Sequence, residues 1–230
     1  MCQLVMNKSK KLLLLITVLL FLSCNKKQRH LQSLDNAYKE LNNKQYDDAI
    51  KSASIAIQTE PEDKRGWILR GRANFELERA INTLYDMRAA LAIDSKNTTA
   101  LYYVGMCKYD LSEYDSSIFY LSRAISSKGS DSIYIEMTDN FSKYTFDQNV
   151  TMAEIRFFRG LSYYYLNQLG NAFRDLRFAA DENYNVAKSF YYMGLVALKA
   201  EKNHIACKYL KLAINNGYKQ AAEYLPNDCK

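Results

Sequence analysis

Glycine and proline are scarce in this 230-residue chain, 8 and 2 respectively. A strand-rich fold punctuated by tight turns draws on both residues, so an all-β architecture is excluded. Histidine occurs only as His30 and His204. Neither belongs to an H-E-x-x-H pair or to another ligand spacing, and both read as solvated residues, one in a tether and one at a turn. There is no G-x-G-x-x-G, no phosphate-binding loop and no G-x-S-x-G elbow. The carboxylates lie scattered on solvent faces. These absences argue against an enzyme, a metal site, a cofactor and a small-molecule substrate. Cysteine is present five times but never as C-x-x-C, so neither zinc nor a thioredoxin-like redox pair is indicated.

Charge of one sign is also lacking. The formal charge is +6. Lys8, Lys10 and Lys11 fall in the first 23 residues, leaving 28 basic against 25 acidic residues beyond them. Such a balance makes no case for nucleic-acid binding. What the chain does have in excess is tyrosine, 19 residues in all.

The N-terminus is patterned. Basic residues through Lys11 precede the apolar run Leu12 to Leu22. The run falls short of the roughly 20 residues needed to span a bilayer but suits the core of a signal peptide. Phe21-Leu22-Ser23-Cys24 follows, and then polar Asn25 to Arg29. This resembles a bacterial lipoprotein signal peptide of the looser kind found in Bacteroidota: residues 1–23 the signal, 24–30 a tether. The resemblance implies lipidation of Cys24 and membrane attachment through its acyl chains. Asn25 rather than Asp after the cysteine, and the absence of an acidic export stretch, point to an outer-membrane lipoprotein facing the periplasm. Of the other cysteines, Cys107 reads as a small core residue. A Cys207–Cys229 bridge is one option among several, and in an oxidising compartment the odd count leaves at least one thiol free.

Repeats organise the rest. Gly71 and Gly105 are 34 residues apart, as are Gly160 and Gly194; the gap from Gly105 to Gly160 is 55, which is 34 plus 21. Ala37 lies 34 before Gly71. Ala56, Ala90, Ala124, Ala179 and Ala213 follow the same spacing. The segment Thr98 to Gly129 reads as two amphipathic helices around a turn at Glu113-Tyr114-Asp115. Helices this short are marginal alone and need neighbours of their own kind. A glycine inside a helix costs about 1 kcal/mol, so its recurrence calls for a packing reason, here close approach of the second helix.

With Trp67-Ile68-Leu69-Arg70-Gly71, Leu101-Val104-Gly105, Tyr163-Ala172-Ala179 and Gly194-Ala206-Ala213 in register, the chain resembles a tetratricopeptide repeat protein. The resemblance covers roughly residues 31–225. It implies an all-α, right-handed α-solenoid of about five helix hairpins with a C-terminal cap helix at Lys219 to Leu225. One insertion, residues 132–152, separates units three and four. Its alternation of Ile133, Ile135 and Met137 with polar residues leaves a β-hairpin and an irregular loop both open. Asp131-Ser132-Ile133 also resembles a Bacteroidota O-glycosylation triplet, which makes Ser132 a candidate acceptor. Ala80 and Thr83 depart from the repeat pattern and lead us to expect an altered inter-helix turn in unit two.

In this family the first helix of each hairpin lines an inner groove that holds partners. Carried onto this sequence, the groove consists of Tyr102, Tyr103, Met106, Tyr109, Phe157, Phe158, Leu161, Tyr164, Tyr165, Tyr191 and Tyr192. Paired aromatics give rigid contact area at low entropic cost. The Lys/Asn/Arg set that would resemble a carboxylate clamp is missing. The expectation is a non-catalytic, lipid-anchored adaptor or assembly factor that holds a protein or peptide segment. The alternative is a glycan-binding surface lipoprotein using Tyr102, Tyr103, Tyr164 and Tyr165 as platforms.

Overall fold

The computed structural model describes residues 25–127 and 150–229. The signal peptide, Cys24, Ser132 and nearly all of the 132–152 insertion lie outside the described residues. Helices follow one another as α1 (25–42), α2 (Tyr46–Thr59), α3 (Lys64–Glu76), α4 (Ala80–Ile93), α5 (Thr98–Asp110), α6 (Tyr114–Ser127), α7 (Met152–Tyr165), α8 (Leu169–Asp181), α9 (Val186–Lys199) and α10 (Asn203–Asn215). Two 3-10 turns, Lys219–Tyr224 and Asn227–Cys229, close the chain. There is no strand among the described residues. None of their helices is long and apolar enough to cross a membrane.

The helices pair as antiparallel hairpins in which an odd-numbered helix is followed by an even-numbered one. The described residues up to Ala89 form one compact unit and those from Ala90 onward another. In the last four of the five hairpins the glycine of the first helix meets one residue of the second, always 16 positions on. A Cβ on Gly71, Gly105, Gly160 or Gly194 would sit 2.6–3.0 Å from Met87, Leu121, Leu176 or Leu210. Those four partners are fully buried. The alanines at Ala56, Ala90, Ala124, Ala179 and Ala213 are also wholly buried. Small residues on one helix and large ones on the next interdigitate, as close packing requires.

The turn inside each hairpin is the same. Lys44, Glu78, Ser112, Asn167 and Glu201 all have left-handed φ values of 57–61°. At each, the backbone N–H reaches the carbonyl three residues back, and the next N–H reaches five back. For Ser112 the pairs are Ser112–Tyr109 at 2.8 Å and Glu113–Lys108 at 2.8 Å. This is a Schellman ending, which satisfies carbonyls that the helix terminus leaves open. Unit two keeps this geometry at Glu78, so the expected alteration of its turn does not occur. Thr83 is buried and its hydroxyl donates back to the Arg79 carbonyl. In the third hairpin the turn runs Leu111–Glu113, and Tyr114 and Asp115 already belong to α6.

The N-terminal stretch read as a tether is helical through residues 25–30, and His30 is 4% exposed rather than solvated. Its Nδ1 lies 3.1 Å from the Ala56 carbonyl oxygen and its Nε2 lies 2.9 Å from Asp63 Oδ2. Asp63 in turn caps α3 through the Arg65 N–H.

At the other end Cys207 and Cys229 form a disulfide, with Cα atoms 5.6 Å apart. It ties the C-terminal turns to α10. Cys107 is free and buried, and burial pushes its thiol up to about 12. The cap is a 3-10 turn rather than an α-helix, anchored by the buried Ala221.

Candidate functional site

All of the predicted groove residues lie in the second unit, on α5, α7 and α9, and their rings form one connected ladder. Tyr102 packs edge-on against Phe158 at 6.3 Å and Tyr109 against Phe158 at 6.0 Å, joining α5 to α7. Tyr164 meets Tyr192 at 5.3 Å, joining α7 to α9. Tyr191 continues the ladder to Tyr218 and Tyr224 at 4.7 and 5.6 Å. Edge-to-face pairs of this kind are each worth about 0.5–1.5 kcal/mol beyond burial.

The face is narrower than the sequence suggests. Tyr102, Tyr103, Met106, Phe157, Leu161 and Tyr191 are buried. Tyr109, Phe158, Tyr164 and Tyr192 are half-buried, and Tyr165 is 43% exposed. The reason is geometric. Adjacent helix positions diverge by about 100°, so, while Phe158 and Tyr192 do not, Phe157 and Tyr191 turn towards the core. There, Phe157 packs with Leu161, Leu176 and Met193, and Tyr191 packs with Leu210 and Ala221. Tyr102 and Tyr103, at adjacent positions, instead pack on each other at 5.2 Å.

Tyr165 is the centre of what remains. Its ring meets Tyr109 of α5 at 6.1 Å and adjoins Tyr192 of α9. It stacks on Tyr114 at 4.7 Å and 9°. Burial, with the neighbouring Tyr165 phenol adding to it, pushes the Tyr109 and Tyr192 phenols above the ordinary tyrosine range. They remain protonated donors at any physiological pH. Lys199 sets its ammonium 4.1 Å from the Tyr164 ring centre, a cation–π contact at the edge of the face.

Behind the face, Glu154 orders the buried rings. Tyr102 donates to Glu154 Oε1 at 2.7 Å, and the Tyr184 phenol lies close enough to the same carboxylate to feel its charge. Burial first, and then the Glu154 charge, holds both phenols above their usual range.

Sequence reasoning missed Tyr114, Glu154, Tyr184, Tyr218 and Tyr224. Tyr114 was open to discovery, since Tyr46 begins α2 as Tyr114 begins α6, two repeats apart. Tyr184 and Tyr218 were open to discovery too, since they stand one 34-residue period apart, each bonded through its N–H to the repeat alanine Ala179 or Ala213; Tyr224 has no such counterpart.

Neither a protein-family model nor a curated protein matches the sequence. Solved structures do. The chain is similar to MamA at a TM-score of 0.65 with 16% identity, over 87% of this chain and 98% of that one. It is similar to YrrB, described as a TPR protein with an unusual peptide-binding site, at 0.65 and 16%, over 84% and 89%. It is also similar to PilW, described as a type IV pilus biogenesis factor, at 0.61 and 16%, over 87% and 80%. With the hairpins, the glycine contacts and the recurring turns, these likenesses establish the tetratricopeptide repeat fold.

Proposed function

We propose that the protein is a non-catalytic interaction module that holds a segment of a partner protein on the α5–α7–α9 aromatic face. The observation that carries this reading is the cluster of Tyr109, Phe158, Tyr164, Tyr165 and Tyr192 rings, packed on one another across α5, α7 and α9. These rings are already packed against one another, so a partner orders few side chains on binding. Their exposed edges offer apolar contact, and their hydroxyls offer hydrogen bonds to a peptide backbone. Helix-in-groove and extended-segment recognition both use such surfaces. The peptide-binding site named for YrrB and the assembly role named for PilW are consistent with this class of function.

The reading includes lipid attachment through Cys24 and a place at the outer membrane, facing the periplasm. Its support is the leader sequence alone. Metabolic labelling with palmitate tests it: label on the wild type and none on Cys24→Ser supports the anchor, and equal label on both removes it.

Partner binding is tested by affinity capture with the intact protein and a Phe158→Ala/Tyr165→Ala double variant. Loss of a specific partner in the variant, with the helical signal unchanged, is the expected outcome. Equal capture by both proteins defeats the proposal. So does retention in polysaccharide affinity gels without any peptide capture.

A further inference from the structure

The first unit holds an open cavity of about 400 Å³, lined by side chains of α2, α3 and α4. Its floor is the buried Arg70–Asp86 ion pair at 2.7 Å, to which Asn74 donates at 3.1 Å. Its rim carries Ile81, 84% exposed, and Tyr85, 64% exposed. Among the described residues these are the most exposed large hydrophobics, and neither belongs to the aromatic face of the second unit.

Because the chain is a repeat, the cavity has an internal counterpart. Ile50, Ser54, Arg70, Asn82 and Asp86 recur in the second unit as Ile118, Ser122, Arg159, Asn171 and Asp175. The frame is the same in both places. Arg159 pairs with Asp175 at 2.6 Å and reaches Ser122 at 3.1 Å, as Arg70 reaches Ser54 at 3.2 Å. What differs is the filling. The counterpart of Asn74 is Tyr163, whose ring centre lies 5.6 Å from the Arg159 guanidinium carbon. Asn74 turns its amide to Asp86 and supplies no ring. In the same comparison Gly170 and Arg174 stand where the cavity has Ile81 and Tyr85. One ring is removed, and apolar and aromatic surface is added around the space.

We propose that this cavity binds an aromatic side chain, tyrosine or phenylalanine, presented by a partner polypeptide. The guest ring takes the part that Tyr163 plays in the second unit. It packs on the Arg70 guanidinium, a cation–π contact, and against Tyr85, Ile81 and Ile50. Arg70 already carries Trp67 at 5.0 Å, and Trp67 meets Tyr85 edge-on at 6.1 Å, so the guest completes an aromatic surround. A sugar fits less well. The groups that would bind its hydroxyls at the floor, Asp86 and Asn74, are 1% and 3% exposed and bonded to each other. A simple anion fits less well too, since Arg70 is matched by Asp86 and Arg79 by Asp47 at 3.2 Å.

The test is a nuclear magnetic resonance titration of the ¹⁵N-labelled full chain with N-acetyl-tyrosinamide and N-acetyl-phenylalaninamide. N-acetyl-leucinamide and glucose serve as controls. The expected result is a saturable shift of the Arg70 Nε–H and Asn82 amide signals with the aromatic amides only. Asn74→Tyr supplies the ring from the chain itself and abolishes the shift. Tyr85→Ala, a change at an exposed position, weakens binding at least about fivefold and decides the matter should Asn74→Tyr fail to fold. Tyr165→Ala leaves the titration unchanged, which separates this site from the face on the second unit. Absence of any saturable shift overturns the proposal. So does equal binding of leucinamide or glucose, or full binding by folded Asn74→Tyr or by Tyr85→Ala.

Discussion

Gly105 shows at a single residue why the repeat has its period. A methyl group there would lie 2.7 Å from Leu121 Cγ and 3.4 Å from the Leu121 backbone nitrogen. Helix propensity favours alanine by about 1 kcal/mol, but overpacking a full core costs roughly 1–3 kcal/mol. Gly105→Ala therefore lowers the midpoint of thermal unfolding, as circular dichroism can read. An exposed-site control such as Gly170→Ala, whose Cβ meets nothing within 4 Å, does not. Asp63 is a second residue with a measurable consequence. Burial raises its carboxyl, but the Arg65 bonds and charge, with His30 beside them, bring it below the usual carboxylate range. Its contribution to stability is thus fully present above about pH 4 and is lost as pH falls through the depressed folded value. Asp63→Asn retains the cap and removes the charge, so its acid-unfolding curve is flatter in that interval than the wild type's. The glycine contacts were legible because they repeat. The His30–Asp63 contact was not, because His30 meets partners 26 and 33 residues away that no local pattern links.

At the scale of elements, the turns carry strain that the sequence could relieve. Ser112 occupies a left-handed position at φ 59°, which disfavours a residue with a Cβ. Ser112→Gly removes that penalty at some cost in unfolded-chain entropy. The expected net is a gain of roughly 0.5 kcal/mol in denaturant unfolding. The left-handed residue of these five turns escaped notice because Lys, Glu, Ser, Asn and Glu fill the position where glycine would have announced it. The C-terminal turns depend on the disulfide, which closes a sequence separation of 22 residues. On chain-entropy grounds its loss costs about 3 kcal/mol, so Cys229→Ser lowers stability and reducing agent has no further effect on that variant. Spacing alone left this pairing one option among several, because nothing local in the sequence shows that the C-terminal turns fold back onto α10.

For the molecule as a whole, the function rests on which rings the packing leaves uncovered. Helix number, order and hairpin pairing followed from the 34-residue period. Which rings of the aromatic pairs go to the core and which stay at the surface did not, because it depends on rotation of α5, α7 and α9 against their neighbours. Phe157 and Tyr191 went to the core, while Phe158 and Tyr192 kept open edges. The most direct test of the aromatic face is site-specific photocrosslinking in cells, with a photoreactive phenylalanine at Tyr165 and, as control, at the exposed Arg177 of α8. The expected result is a discrete crosslinked partner from Tyr165 that disappears when Phe158 is also changed to alanine, and none from Arg177. No product at Tyr165, or the same products at Arg177, would contradict the assignment of this face as the binding surface.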